Sequence, residues 1–182
     1  MTRLFQTVYD EIKETRRVSM LATIQQQQNN YVVKFNRPLS HSVDAVWAVL
    51  TENEKLQKWM NNLEIIDLRK NGTIHFNMND GTNAYKEIAI TDYAVKNILE
   101  FDWGKDTVRF ELSPTSSGSI LILLESISEL TEHTPKDLAG WHICLDMLSD
   151  LLNGTAHDEF PMEEWHNRFA EYTQLVDDVE KI

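Results

Sequence analysis

Side chains capable of chemistry are scattered along this sequence rather than gathered into motifs. The histidines, His41, His75, His133, His142, His157 and His166, form no HExxH or HxH pair, the spacings that bring two imidazoles onto one metal ion. No metal site is predicted. Cys144 lies between Ile143 and Leu145 with no Lys or Arg beside it to favour the thiolate, and a buried thiol of this kind fills space rather than attacking. Asp146 and Asp150 stand one turn apart on a helical stretch, and Glu163, Glu164 and His166 lie on another; a solvated helix face accounts for both sets. The residues Glu125, Ser126, Ser128 and Glu129 are more informative. Strand alternation places the two glutamates on one face and the two serines on the other. A carboxylate or hydroxyl inside an apolar cavity is costly unless partnered, and it then marks ligand orientation or general-base work. Which pair faces inward is not decided by the pattern, and no catalytic residue is assigned.

The larger signal is apolar. Phe76, Met78, Phe101 and Trp103 occupy the inward positions of alternating runs, Trp141, Leu145 and Leu148 share a helical stripe, and Trp59 follows a short helical segment. Apolar walls carrying a few polar groups are what a small-molecule pocket needs, although the same side chains equally fill a core. Trp59 reads as a gate or as an anchor for its segment. Met60 and Met78 suit a pocket of adaptable shape.

These residues must be carried by a definite set of elements. Residues 1–24, with Leu4, Val8, Ile12, Val18, Leu21 and Ala22, have the spacing of an amphipathic helix, and 25–30, all Gln and Asn, reads as a polar linker. Residues 31–36 form a short strand closed by Arg37-Pro38. Ser42 precedes Val43, Val46, Trp47 and Leu50 at helical spacing, with Asp44 in the first turn. Thr51-Glu-Asn-Glu54 has the form of a capping box opening a second helix through Leu56, Trp59 and Met60. Between Leu63 and Leu130, turn signals at 70–72, 79–81, 95–97, 104–106 and 113–118 separate about six strands, the pattern of an antiparallel meander. With the strand at 31–36 the sheet has about seven. Thr134, as N-cap, and Pro135 then open a long helix whose stripe of Leu138, Trp141, Leu145, Leu148 and Leu152 ends before Gly154. A last helix carries Trp165, Phe169 and Tyr172.

The length of 182 residues suits one domain with a short extension, and 42% apolar with 25% charged residues is globular composition. The longest apolar run, 120–124, is far short of the roughly 18 residues that a membrane span requires. The first ten residues lack the apolar stretch of a secretory signal, so a cytoplasmic location is predicted. Of the net charge of −12, residues 125–182 contribute −11, with three Lys or Arg against fourteen Asp or Glu. Such a surface repels phosphate backbones and anionic lipid, which argues against nucleic acid and membranes as partners.

Four stretches, Val43-Asp-Ala-Val-Trp-Ala-Val-Leu-Thr51, Leu56-Gln-Lys-Trp59, Phe101-Asp-Trp103 and Ala139-Gly-Trp-His-Ile-Cys-Leu-Asp-Met-Leu148, occur in an order that resembles the START-like (SRPBCC) helix-grip superfamily. Within it, the sequence is most similar to the branch of homologues of the activator of heat-shock protein 90 ATPase, over residues 31–173. The glycine pair common after the second strand of the family is reduced here to Gly72, and residues 1–30 have no family counterpart. The resemblance implies an α+β fold with a curved antiparallel sheet wrapped on a long C-terminal helix, an apolar cavity, and no catalytic set or cofactor common to the superfamily. The expected organisation is an N-terminal extension over 1–30 and a ligand-binding domain over 31–182. The expected function is non-enzymatic binding of a hydrophobic small molecule such as a lipid, polyketide or flavonoid. Its contacts would be Trp59, Phe76, Met78, Phe101, Trp103, Trp141, Leu145 and Leu148. Alternatives are docking on a protein partner such as a chaperone, and an aromatase/cyclase type of enzyme.

Overall fold

Every turn signal in the middle of the sequence coincides with backbone that most side chains avoid. Positive φ occurs at Asn71, Asn79, Gly81, Lys96, Gly104 and Gly118, where the chain reverses between neighbouring strands. Gly118 cannot be replaced, because a Cβ there would lie 2.1 Å from the carbonyl oxygen of Leu39.

In the computed structural model, which describes residues 21–180, these reversals create an eight-stranded antiparallel sheet. Its strands are β1 (Thr23–Gln27), β2 (Asn30–Leu39), β3 (Leu63–Ile65), β4 (Thr73–Asn77), β5 (Tyr85–Ala94), β6 (Ile98–Trp103), β7 (Asp106–Thr115) and β8 (Gly118–Ile127). The spatial order is β1-β2-β8-β7-β6-β5-β4-β3, so β3 to β8 form a meander and only β2 returns to pair with the last strand. The fold is the helix-grip arrangement expected, with one strand more than predicted.

The additional strand corrects the linker reading of residues 25–30. Thr23–Gln27 pairs with Asn30–Lys34 through a tight turn in which Gln28 takes a φ of 54°. Glutamine is a poor strand former, but an edge strand needs only one ladder of backbone bonds and one wet face. The predicted helix over residues 1–24 lies outside the described residues up to position 20, and at 23–24 the chain is already strand.

Two short helices, α1 (Val43–Thr51) and α2 (Asn53–Leu56), follow β2. Ser42 caps α1, its hydroxyl oxygen accepting from the Ala45 amide. The capping box at Thr51 does not form: the Thr51 hydroxyl instead donates to the Trp47 carbonyl within α1 at 2.7 Å. Helix α2 is therefore a single turn, and Trp59 and Met60 lie beyond it. The segment is positioned instead by Asn53, whose side chain exchanges two hydrogen bonds with the backbone of Ile65 at 2.8 and 2.9 Å.

The long helix α3 (Thr134–Leu152) crosses the concave face of the sheet, and α4 (Met162–Glu180) packs on α3. Thr134 is the first helical residue rather than the cap, its hydroxyl oxygen accepting from the Thr131 amide. Leu138, Leu145 and Leu148 are fully buried against Phe35, Leu121, Leu123, Phe101 and Phe110. Each such side chain contributes about 1.5–3 kcal/mol through removal from water. On the opposite, wet face Arg109 of β7 bonds Asp92 of β5, Glu100 of β6 and Glu111 of its own strand.

Candidate functional site

At the end of β6 the alternation that buries Leu99 and Phe101 brings Trp103 to the same face, where the sheet opens beside α3. Trp103 pairs with Asp106 across the hairpin turn at Gly104. Its ring lies 5.1 Å from that of Trp141 on α3 and meets Phe76 of β4 edge-on at 5.6 Å. Trp59 approaches from the segment after α2, held by a 3.0 Å bond from Nε1 to the carbonyl of Val49. Phe110 links the two sides, edge-on to Trp59 at 6.3 Å and to Trp141 at 6.1 Å.

Trp59, Trp103 and Trp141, with Met60, Cys144 and Met147, line a cleft of about 320 Å³. Polar side chains of Lys58, Asn61 and Asp137 and the segment 157–160 form its rim. Cys144 points its Sγ at Met60 Sδ, 3.6 Å away, and burial pushes the thiol up to about 12. That thiol is uncharged filling, in keeping with its sequence context.

Beneath the cleft there is almost no space. The void bounded by Leu50, Leu56, Trp59, Ile74, Phe101 and Phe110 measures about 10 Å³, the room of a single water probe. The apolar cavity that the resemblance implies is reduced there to this void: α1 and the segment through Trp59 fill what α3 leaves open. Accordingly the residues assigned to a pocket divide. Trp59, Trp103 and Trp141 line the cleft, while Phe101 is part of its floor and Phe76 supports Trp103 from behind. Leu145 and Leu148 are sealed in the core at zero exposure. Met78 lies past the end of β4 and is 42% exposed, away from the cleft.

The inward face of β8 carries Ser119, Leu121, Leu123, Glu125 and Ile127. Glu125 is thus the buried member of the polar set, only 2% exposed, flanked by Val33 on β2 and Val108 on β7, both fully buried. Its Oε2 has no hydrogen-bond partner among the described residues. Burial, reinforced by the charges of Asp137 and Asp106, pushes its carboxyl up to about 8, so that it carries its proton at neutral pH. Glu125 borders a second cleft of about 270 Å³ that shares Trp103 and Asp137 with the first. Its other charged or titratable borders are Lys105, Asp106, Glu129 and His133. Asp106 Oδ1 accepts from both the amide and hydroxyl of Ser128, and Asp137 lies 3.3 Å from His133. Sequence reasoning missed this second cleft because both faces of β8 are apolar: Ile120, Ile122 and Leu124 on one side match Leu121 and Leu123 on the other.

Among the described residues no three His, Cys, Asp or Glu side chains gather closely enough to hold a metal ion. Among the same described residues no helix is long and apolar enough to cross a membrane.

Residues 40–153 match the family model described as activator of Hsp90 ATPase homolog 1-like protein. The chain belongs to this family. A conserved protein of unknown function from Enterococcus faecalis is 26% identical and superposes with a TM-score of 0.72, over 89% of this chain and 95% of that one. CalU16 from Micromonospora echinospora is 20% identical, with a TM-score of 0.65 over 87% and 98% of the two chains, and it shares the fold. No curated protein matches the sequence. The family span includes all three cleft tryptophans and Glu125, whereas β1, β2 and α4 lie outside it.

Proposed function

We propose that this member of the Hsp90 ATPase activator homologue family binds a hydrophobic small molecule at the mouth of the sheet, without transforming it. One observation carries the reading: Trp59, Trp103 and Trp141 arrive from three separate segments to wall one cleft. Its size of about 320 Å³ lies at the lower end of ligand pockets, and its tryptophan walls meet a rim rich in polar side chains, among them Lys58, Asn61, Asn62, Asp137 and Glu159. A guest would rest against the tryptophan rings rather than between the sheet and the middle of α3. Tryptophan fluorescence and native mass spectrometry of the protein against fatty acids, flavonoids and short arylalkyl compounds test this. A saturable one-to-one complex that Trp103→Ala weakens by about tenfold or more is the expected result. Failure of every compound, or binding indifferent to Trp103, would overturn it.

A partner-docking role draws on the family description and on the acidic face of α4, where Glu163, Glu164, Asp177 and Asp178 are exposed. It predicts a chaperone contact that weakens as salt rises. Recovery of no chaperone in a low-salt pull-down would remove it.

A further inference from the structure

The second cleft contains a polar group whose burial has no structural explanation. A carboxyl in an apolar wall is ordinarily paired with a cation or satisfied by several hydrogen bonds, because the desolvation cost is otherwise uncompensated. Glu125 has Val33 and Val108 for neighbours on the sheet and an Oε2 without a partner. The side chain borders the cleft between the β6–β7 hairpin and the start of α3. A ligand group entering there can supply what is missing.

The chemistry of that group follows from its surroundings. From the β6–β7 hairpin come Lys105 and Asp106, from the end of β8 Glu125 and Glu129, and from α3 and the residue before it Asp137 and His133. With Glu125 protonated, the carboxylates of Asp106, Glu129 and Asp137 outnumber the Lys105 ammonium and the His133 ring, and the potential in the cleft is negative. An anionic head group is repelled. A metal ion would need several ligands converging on one point, and these side chains do not form such a group. Trp103 adds an indole wall, which attracts an organic cation through its ring quadrupole and leaves an anion unassisted.

Resting on the reading of the tryptophan cleft as a hydrophobic site, we infer that its ligand is an amphipathic amine, with the apolar body against Trp103 and Trp141 and a primary ammonium between Glu125 and Asp137. The shared lining makes this possible, since Trp103 and Asp137 belong to both clefts and one molecule can occupy both. On binding, the ammonium brings a positive charge to Glu125, the Glu125 O–H bond breaks, and the proton leaves to solvent. The charge balance is closed: one cation enters and about one proton is released near neutral pH. The ammonium also offsets the like charges of Asp137 and Asp106, which add to burial in holding the proton on Glu125.

Phenylbutylamine, phenylbutanol and phenylbutanoate, which differ only in head group, provide the test by calorimetric titration in buffers of different ionisation enthalpy. The amine is expected to bind about tenfold more tightly than the alcohol, the acid weakest, with about one proton released per amine bound at pH 7. In Glu125→Gln the advantage of the amine should shrink to about twofold and proton release disappear, while the affinity for the alcohol stays within about twofold. Should that variant misfold, the ranking and proton count of the unaltered protein still decide. Equal binding of amine and alcohol, or a preference that survives in Glu125→Gln, would overturn the inference and leave the hydrophobic cleft standing. Binding of none of the three overturns it as well, and the wider panel, with Trp103→Ala, then judges the cleft separately.

Discussion

The Tyr172 hydroxyl lies 2.8 Å from His142 Nδ1 and accepts the Ala22 amide at 3.0 Å. One buried oxygen thereby ties α4, α3 and the strand hairpin at the sheet edge. Burial raises the Tyr172 phenol above its ordinary range, which keeps it a neutral hydrogen-bonding group. Tyr172→Phe removes the shared oxygen and leaves the Ala22 amide without this acceptor. The expected loss in urea unfolding is about 1–3 kcal/mol, with faster amide exchange concentrated in β1. Unchanged stability and unchanged exchange in β1 would show that the tie is idle.

Glu125 gives the stability curve a definite slope. Its carboxyl rises from the ordinary 4.5 to about 8 on folding, so between those values the native state holds a proton that the unfolded chain releases. Stability from this group is therefore complete below about pH 4.5 and lost as pH rises towards 8. Relative to Glu125→Gln, the unaltered protein should lose roughly 3 kcal/mol between pH 5 and 7.5. Parallel curves for the two proteins across that window would contradict a buried, protonated Glu125.

Arg109 is the hub of the outer face. Its guanidinium bonds Asp92, Glu100 and Glu111 at 3.0, 2.9 and 2.7 Å, spanning β5 to β7. Arg109→Ala leaves three carboxylates facing one another across the sheet. Because they are half-buried and partly screened, the expected cost is about 1–2 kcal/mol, larger at low salt than at high. A salt-independent change would assign the loss to packing of the arginine stem instead.

Cys144 should be silent in the native protein. The thiol is buried, and its ionisation is pushed up to about 12. At pH 8 a colourless disulfide reagent such as dithionitrobenzoate should react only at the rate of local opening, and at once after denaturation. Since Cys144 lines the tryptophan cleft, a bound ligand should slow the native reaction further. Rapid native labelling would show a thiolate accessible in the cleft.

Several elements were legible from local pattern because their causes are local. The breaks at Lys96, Gly104 and Gly118 follow from turn chemistry, and the stripe through Leu138, Leu145 and Leu148 names the face of α3 that must be covered. Other readings failed where a distant partner overruled a local rule. Thr51 spends its hydroxyl on the Trp47 carbonyl of α1 while Asn53 is engaged by β3, and a tract of glutamines becomes strand because β2 offers it a free edge. Met78 continues an alternating pattern past the last paired residue of its strand, where alternation loses meaning.

The site divides along the same line. Periodicity, turn residues and spacing supplied the order of elements and drew attention to Trp59, Trp103 and Trp141, because those features act over a few residues, while the helix-grip arrangement was implied by the family resemblance of four stretches. Which face of β8 turns inward depends on register with β2 and β7, and both of its faces are apolar enough for either choice. Whether sheet and helix leave a void depends on how side chains from α1, β6 and α3 fill shared space. Only the assembled chain brings Glu125, Asp137 and Trp103 to one cleft and closes the interior beneath it, since packing and burial belong to contacts between segments far apart in sequence.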